Sequence, residues 1–224
     1  MKRSLKETLL RAVILMAGLT IAHFGVTLFL LSDLGADPFN VLVQGVCRTL
    51  EAATDWGMSH GSVHRIICFG IILVLLAVDR HYVKIGTLLC MFCGGPIIDF
   101  FTWLLSPVLN GESPLPLRIL MLAAGCGILA FGMTLVIKSD AGTGPNDLVA
   151  LVISEKSGAK FSVVRVLTDL SFVVAGYFLG GVFGAGTVVC SFLVGPVAGF
   201  FLPRNEKRVQ AILRKCLRED AHDK

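Results

Sequence analysis

FGVTLFLLSDLGADPFN, residues 24–40, returns at 131–147 as FGMTLVIKSDAGTGPND, with eight of seventeen positions identical. A second pair, GTLLCMFCGGPIIDFF (86–101) and GTVVCSFLVGPVAGFF (186–201), shares another eight residues at an offset of 100. Between them, Ser62-Val63-His64-Arg65 answers Ser162-Val163-Val164-Arg165. One unit is therefore written twice. Each copy holds three apolar runs of spanning length, and an odd number of spans turns the second copy over relative to the first. The expected fold is an all-α membrane protein: six transmembrane helices as two inverted three-helix repeats, each with a short broken, re-entrant or interfacial helix.

Composition supports the membrane class. Of 224 residues, 54% are hydrophobic and 16% charged, whereas soluble domains carry about a quarter charged residues. A spanning helix needs about 20 mostly apolar residues, and six runs qualify: 12–32, 62–79, 85–105, 117–137, 163–180 and 186–203. The expected division is a tail (1–11), repeat one (12–105), an external connection (106–116), repeat two (117–203) and a basic tail (204–224). The first run is too long for a signal-peptide core and lacks a small-residue cleavage site, so it reads as a retained span.

Lys and Arg placement sets orientation. Sixteen basic residues fall on one side: Lys2, Arg3, Lys6 and Arg11; Arg80 and Lys84; Lys138, Lys156 and Lys160; and seven in the C-terminal tail. The other side holds Arg48 and Arg118, with Arg65 and Arg165 at span starts. Both termini are expected in the cytoplasm of a bacterial inner-membrane protein. The net charge of +4 then reflects topology, and no nucleic-acid partner is expected.

The doubled stretch carries the candidate site. Each first span ends at Ser-Asp-x-Gly (Asp33, Gly35; Asp140, Gly142), and Pro38 or Pro145 follows. Glycine suits a helix end and proline the first turn of a new helix. The helices that start there are too short to cross. Helix termini exposed at such breaks form the sites of inverted-repeat transporters. Free N–H groups would suit anions, whereas Asp33, Asp37, Asp140 and Asp147 would suit cations or protons, with Asn40 and Asn146 beside them. The alternative is that these are ordinary connections whose aspartates cap backbone.

Arg165 and Asp169 lie four apart on one face of the fifth span. Charges at membrane depth usually face a partner or a watery cavity. Their counterparts are Arg65 and Phe69, so the pair occurs in one copy. His23 (counterpart Ala130) reads as a helix-interface hydrogen bonder, with proton relay the alternative. Asp99 has Arg118 and Arg65 as candidate partners. The seven cysteines lie mostly in apolar spans and read as packing residues, including Cys90 and Cys93 of a CxxC spacing. No metal site, cofactor fingerprint or catalytic motif is visible.

GxTLxxxSDLGADPFN, its echo KSDAGTGPND and the later GTxxCxFxxGP resemble the YczE/YyaS/YitT group of bacterial integral membrane proteins, closest to the YczE type, over about residues 12–203. The resemblance implies a small multi-span inner-membrane protein and carries over no biochemical activity. The residues themselves favour a secondary transporter of a small solute, possible as a homodimer within the lipid bilayer. The alternative is a non-transporting scaffold or regulator whose tail, with Val209, Ile212, Leu213 and Leu217 at helical spacing, docks a partner or lies on the membrane. An intramembrane enzyme lacks a nucleophile–base set.

Overall fold

The computed structural model describes residues 4–53, 57–159 and 161–222. The described residues form eight α-helices: α1 (Leu5–Ser32), α2 (Pro38–Ala53), α3 (His60–Val78), α4 (Ile85–Leu105), α5 (Leu115–Ser139), α6 (Pro145–Ser157), α7 (Phe161–Phe178) and α8 (Ala185–His222). A 3-10 turn, Arg80–Tyr82, links α3 to α4.

The two breaks are built alike. At the end of α1, Ser32 Oγ donates to the Phe29 carbonyl (2.8 Å) and accepts the Leu34 N–H (3.4 Å). At the end of α5, Ser139 Oγ donates to the Val136 carbonyl (2.6 Å) and accepts the Ala141 N–H (3.3 Å). Asp33 and Asp140 then take left-handed backbone angles, φ 49° and 53°, a conformation in which Asp is among the few non-glycine residues found. Gly35 (φ 120°) and Gly142 (φ 155°) follow, and proline opens α2 and α6. The chain turns here because serine and aspartate offer the backbone local partners that compete with continuing the helix.

α1 and α5 pack antiparallel through glycines. A Cβ on Gly18 would lie 2.9 Å from the Gly132 carbonyl oxygen, and one on Gly25 would lie 2.8 Å from that of Gly125. Small residues let backbones approach closely where lipid supplies no hydrophobic drive between helices. The first turns of α4 and α8 dock on the breaks: the Gly86 N–H donates to the Ala141 carbonyl (3.1 Å) and the Gly186 N–H to the Leu34 carbonyl (2.8 Å). α2 packs across α7, which also contacts α6, and α6 lies against α3.

Among the described residues, five helices are long and apolar enough to cross a membrane, namely α1, α3, α4, α5 and the Ala185–Cys216 part of α8. α7, read from sequence as a span, is not among them. Nor are α2 and α6, of 16 and 13 residues, in keeping with their reading as short helices.

α8 runs unbroken through Pro196 and Pro203. Asn205 is fully buried and donates through Nδ2 to Thr134 Oγ1 (2.7 Å) and the Phe131 carbonyl (3.3 Å) of α5. Val209 and Leu213 pack on Ile14 of α1. The apolar stripe of the tail is thus spent on the protein's own bundle, while Ile212 is exposed and the Leu217 side chain lies outside the described residues. Lys2, Arg3, Lys160 and Lys224 lie outside them as well.

Candidate functional site

The structure separates the predicted site residues into three groups. The first holds the breaks in place. Arg118 donates through Nε to the Ser32 carbonyl (2.6 Å) and through Nη2 to the Asp33 carbonyl (2.8 Å), with Asp33 Oδ2 at 3.9 Å. At the opposite end of the α1–α5 pair, Arg11 donates through Nη1 to the Ser139 carbonyl (3.0 Å), with Asp140 Oδ2 at 3.8 Å. Lys84 Nζ stands 3.5 Å from Asp140 Oδ1. Both guanidiniums satisfy carbonyls that a helix end leaves without intrahelical partners. Asp33 and Asp140 are about half exposed, so they sit at the two ends of the axis and not in a shared interior site.

The second group lies inside. Asp37 caps α2: Oδ2 accepts from Asn40 Nδ2 (2.7 Å) and Oδ1 from the Asn40 N–H (3.4 Å). Because the Asn40 amide nitrogen faces the carboxylate, Asn40 Oδ1 accepts from His60 Nε2–H (2.9 Å). One turn along α3, His64 is buried. Its ring meets Phe39 and His23 edge-on, with centroids at 5.4 and 5.7 Å. Its nitrogens face the Cys68 thiol at 3.8 and 4.0 Å. His23 donates from Nδ1 to the Leu19 carbonyl one turn back on its own helix, α1 (2.9 Å).

From the second break comes Asp147, ion-paired to Arg165 on α7, which also donates through Nε to Asp169 Oδ2 (2.9 Å). Asn146 Nδ2 supports Asp147 Oδ1 at 3.2 Å. Asp37 lies within electrostatic reach of both Arg165 and Asp169, and burial pushes its carboxyl above the ordinary value while the Asn40 hydrogen bonds and Arg165 pull it down. Two helix starts, α2 and α6, thus deliver carboxylates to one centre flanked by α3 and α7. Asp147 and Asp169 share the Arg165 guanidinium there, and Asp37 feels its charge without touching it.

The third group is not brought in. Arg65 is exposed and donates through Nη2 to Ser62 Oγ (3.2 Å), unlike its counterpart Arg165. Asp99 pairs with neither candidate arginine; it caps α3, accepting from Ser59 Oγ (2.6 Å) and the Gly61 N–H (2.9 Å). Cys90 is buried and Cys93 half-buried, both as free thiols. Among the described residues, no three His, Cys, Asp or Glu side chains are placed to hold a metal ion.

Sequence reasoning gave no site role to His60 or His64, read Arg11 only as a marker of orientation, and offered Arg118 only as a partner for Asp99. His60, His64 and Cys68 recur at i, i+4, i+8, one helix face, which marks the α3 triplet. Arg11 and Arg118 stand at the same offset of 107 as the doubled stretch.

A family model described as a family of unknown function, DUF6198, matches residues 9–203. The chain belongs to the DUF6198 family. This DUF6198 protein is 30% identical over 201 residues to the uncharacterized membrane protein YczE of Bacillus subtilis (strain 168), covering 89% of each chain. It is also 30% identical over 189 residues to an uncharacterized protein of Haemophilus influenzae, covering 84% of this chain and 82% of that one. With the uncharacterized protein YyaS of Bacillus subtilis it shares 23% over 190 residues, or 85% and 91% of the two chains. No solved structure matches. The resemblance read from the doubled motif holds, and with its apolar helices this DUF6198 protein is an integral membrane protein.

Proposed function

We propose that this chain is a six-span inner-membrane secondary transporter of a small solute, built from two inverted repeats with both termini cytoplasmic. The observation that carries this reading is the convergence of the α2 and α6 starts on the charged centre of Asp37, Asp147, Arg165 and Asp169. Discontinuous helices that bring charge to a shared neighbour, here α7, form transporter sites, and intramembrane charge is costly enough to mark function by default. The repeat is supported by matched contacts: Arg118 on Ser32 against Arg11 on Ser139, and Gly186 on Leu34 against Gly86 on Ala141. α7 serves as the sixth span, its 18 residues reaching about 27 Å. Asp37, Asn40, Asn146, Asp147, Arg165 and Asp169 contact the solute, while Asp33 and Asp140 keep the breaks in register.

A thermal-shift screen of small solutes on the purified protein tests this, since a specific binder stabilises by mass action. Hits then go to flux in proteoliposomes. Asp147→Asn and Arg165→Ala should remove both the shift and the flux, and Arg65→Ala should leave them. A hit whose effect survives in both site variants overturns the reading. The scaffold alternative is separated by reversing the exposed charges Lys207, Arg214 and Lys215. A docking tail would lose its partner, whereas a transporter keeps its flux. Deletion of 205–224 is a poorer test because it strips Asn205, Val209 and Leu213 from the core.

A further inference from the structure

We infer that Asp37, held by Asn40 and His60, is a proton-binding site that supplies the coupling ion for the transport reading above, on which that role rests. The argument begins with charge. Arg165 is committed to Asp147 and Asp169, so the centre as a whole has more carboxylates than cations. The hydrogen bonds that Asp37 accepts come from one neutral residue, Asn40. A half-buried carboxylate whose hydrogen bonds come from a neutral amide, and whose nearest cation is already shared by two other carboxylates, is relieved by taking up a proton. A metal ion is a poorer fit, because among the described residues no triad of suitable ligands converges.

The groups that face Asp37 come from several elements. α3 offers His60 through Asn40, and His64 beyond Phe39. α7 offers Arg165 and Asp169. α6 offers Asp147 behind Arg165, α1 offers His23 behind His64, and α8 offers the Cys190 thiol. Of these, Arg165 favours the charged carboxylate and Asp169 opposes it.

Proton binding also has a structural output. When the carboxylate of Asp37 binds H⁺ on Oδ2, that oxygen becomes a hydroxyl and no longer suits the Asn40 Nδ2 donor that faces it. If the hydroxyl then donates to Asn40 Oδ1, the amide turns over and presents Nδ2 to His60. His60 must then accept at Nε2 and carry its proton on Nδ1. One proton therefore sets the orientation of the Asn40 amide at the start of α2 and the tautomer of a histidine on α3 together.

The test uses the full-length protein in lipid nanodiscs and needs no solute. Infrared difference spectra across a pH titration should show a protonated-carboxyl band that is lost in Asp37→Asn and kept in Asp33→Asn. In ¹⁵N-histidine spectra the His60 tautomer should change with the same midpoint, and that change should vanish in Asp37→Asn. Should Asp37→Asn not fold, Asp37→Glu keeps a titrating band at a moved frequency. A band that persists unchanged in Asp37→Asn, or that does not move in Asp37→Glu, overturns the inference. If Asp37 titrates and no solute is ever moved, the transporter reading fails and the proton site stands. If flux is found and Asp37→Asn leaves it insensitive to an imposed pH gradient, both stand; if Asp37→Asn keeps the full gradient dependence, the proton role falls alone.

Discussion

Replacing glycine by alanine along the α1–α5 crossing should produce a graded loss of stability that follows backbone proximity. Ordinary contact for a Cβ begins near 3.4 Å, and on Gly25 it would sit 2.6 Å from the Leu129 nitrogen, 0.8 Å too close. On Gly132 the nearest atom is the Ala22 backbone nitrogen, closer still. On Gly125 the approach is milder, 3.0 Å to the Gly25 carbonyl oxygen. Backbone atoms cannot turn aside, so relief requires the two helices to separate and lose contacts along the crossing. Overpacking costs about 1–3 kcal/mol, and the helix propensity of alanine over glycine returns up to about 1 kcal/mol. Gly25→Ala and Gly132→Ala should therefore lose about 1–2 kcal/mol, and Gly125→Ala should be near neutral. Gly127→Ala, on the same helix with nothing within 4 Å, should be neutral or slightly stabilising. Equilibrium unfolding of the four variants in one detergent is the assay. Equal effects at Gly132 and Gly127 would refute the argument that backbone contact, and not glycine itself, is what matters.

Arg118→Ala should lose about 2 kcal/mol, since a charged hydrogen bond contributes about 1.5–3 kcal/mol and the half-buried bond to the Ser32 carbonyl is lost, while water replaces the exposed one to the Asp33 carbonyl; Arg118→Lys should recover part of it in the same unfolding assay. Asn205→Ala should cost about 1–3 kcal/mol by unpairing buried groups on α5, whereas Arg204→Ala, at an exposed position, should be nearly silent. Asp37 binds its proton more tightly folded than unfolded, so its contribution to stability is fully present below the ordinary carboxylate value, 3.8, and is lost as pH rises through the raised folded value. Unfolding curves recorded across that window should fall with pH in the native protein and flatten in Asp37→Asn; an identical slope in both would remove Asp37 from the linkage.

The doubled stretch made the breaks legible because Ser, Asp, Gly and Pro act through local backbone chemistry, which sequence records directly. The Arg165–Asp169 pair was legible for the same reason, being four residues apart on one helix. The partners of Arg11 and Arg118 were not, because each meets its carbonyls across an antiparallel packing more than 80 residues away in the chain. Asp33 and Asp140 drew attention as intramembrane carboxylates, yet their left-handed backbone puts them at helix ends under those arginines. The continuity of α8 was hidden by Pro203, normally a stop signal; the buried Asn205 two residues on, hydrogen-bonded to α5, shows tertiary contacts carrying the helix past it.

The reach of Arg118 also has a consequence in time. The Ser32 carbonyl waits for a guanidinium made 86 residues later, which at about 5–20 residues per second is roughly 4–17 s of synthesis. Through that interval the glycine face of α1 lacks its α5 partner and the Ser32 carbonyl lacks its guanidinium. Assembly of the second half is therefore the event that releases the first, and nascent chains halted before residue 118 should remain bound to the machinery that inserts them.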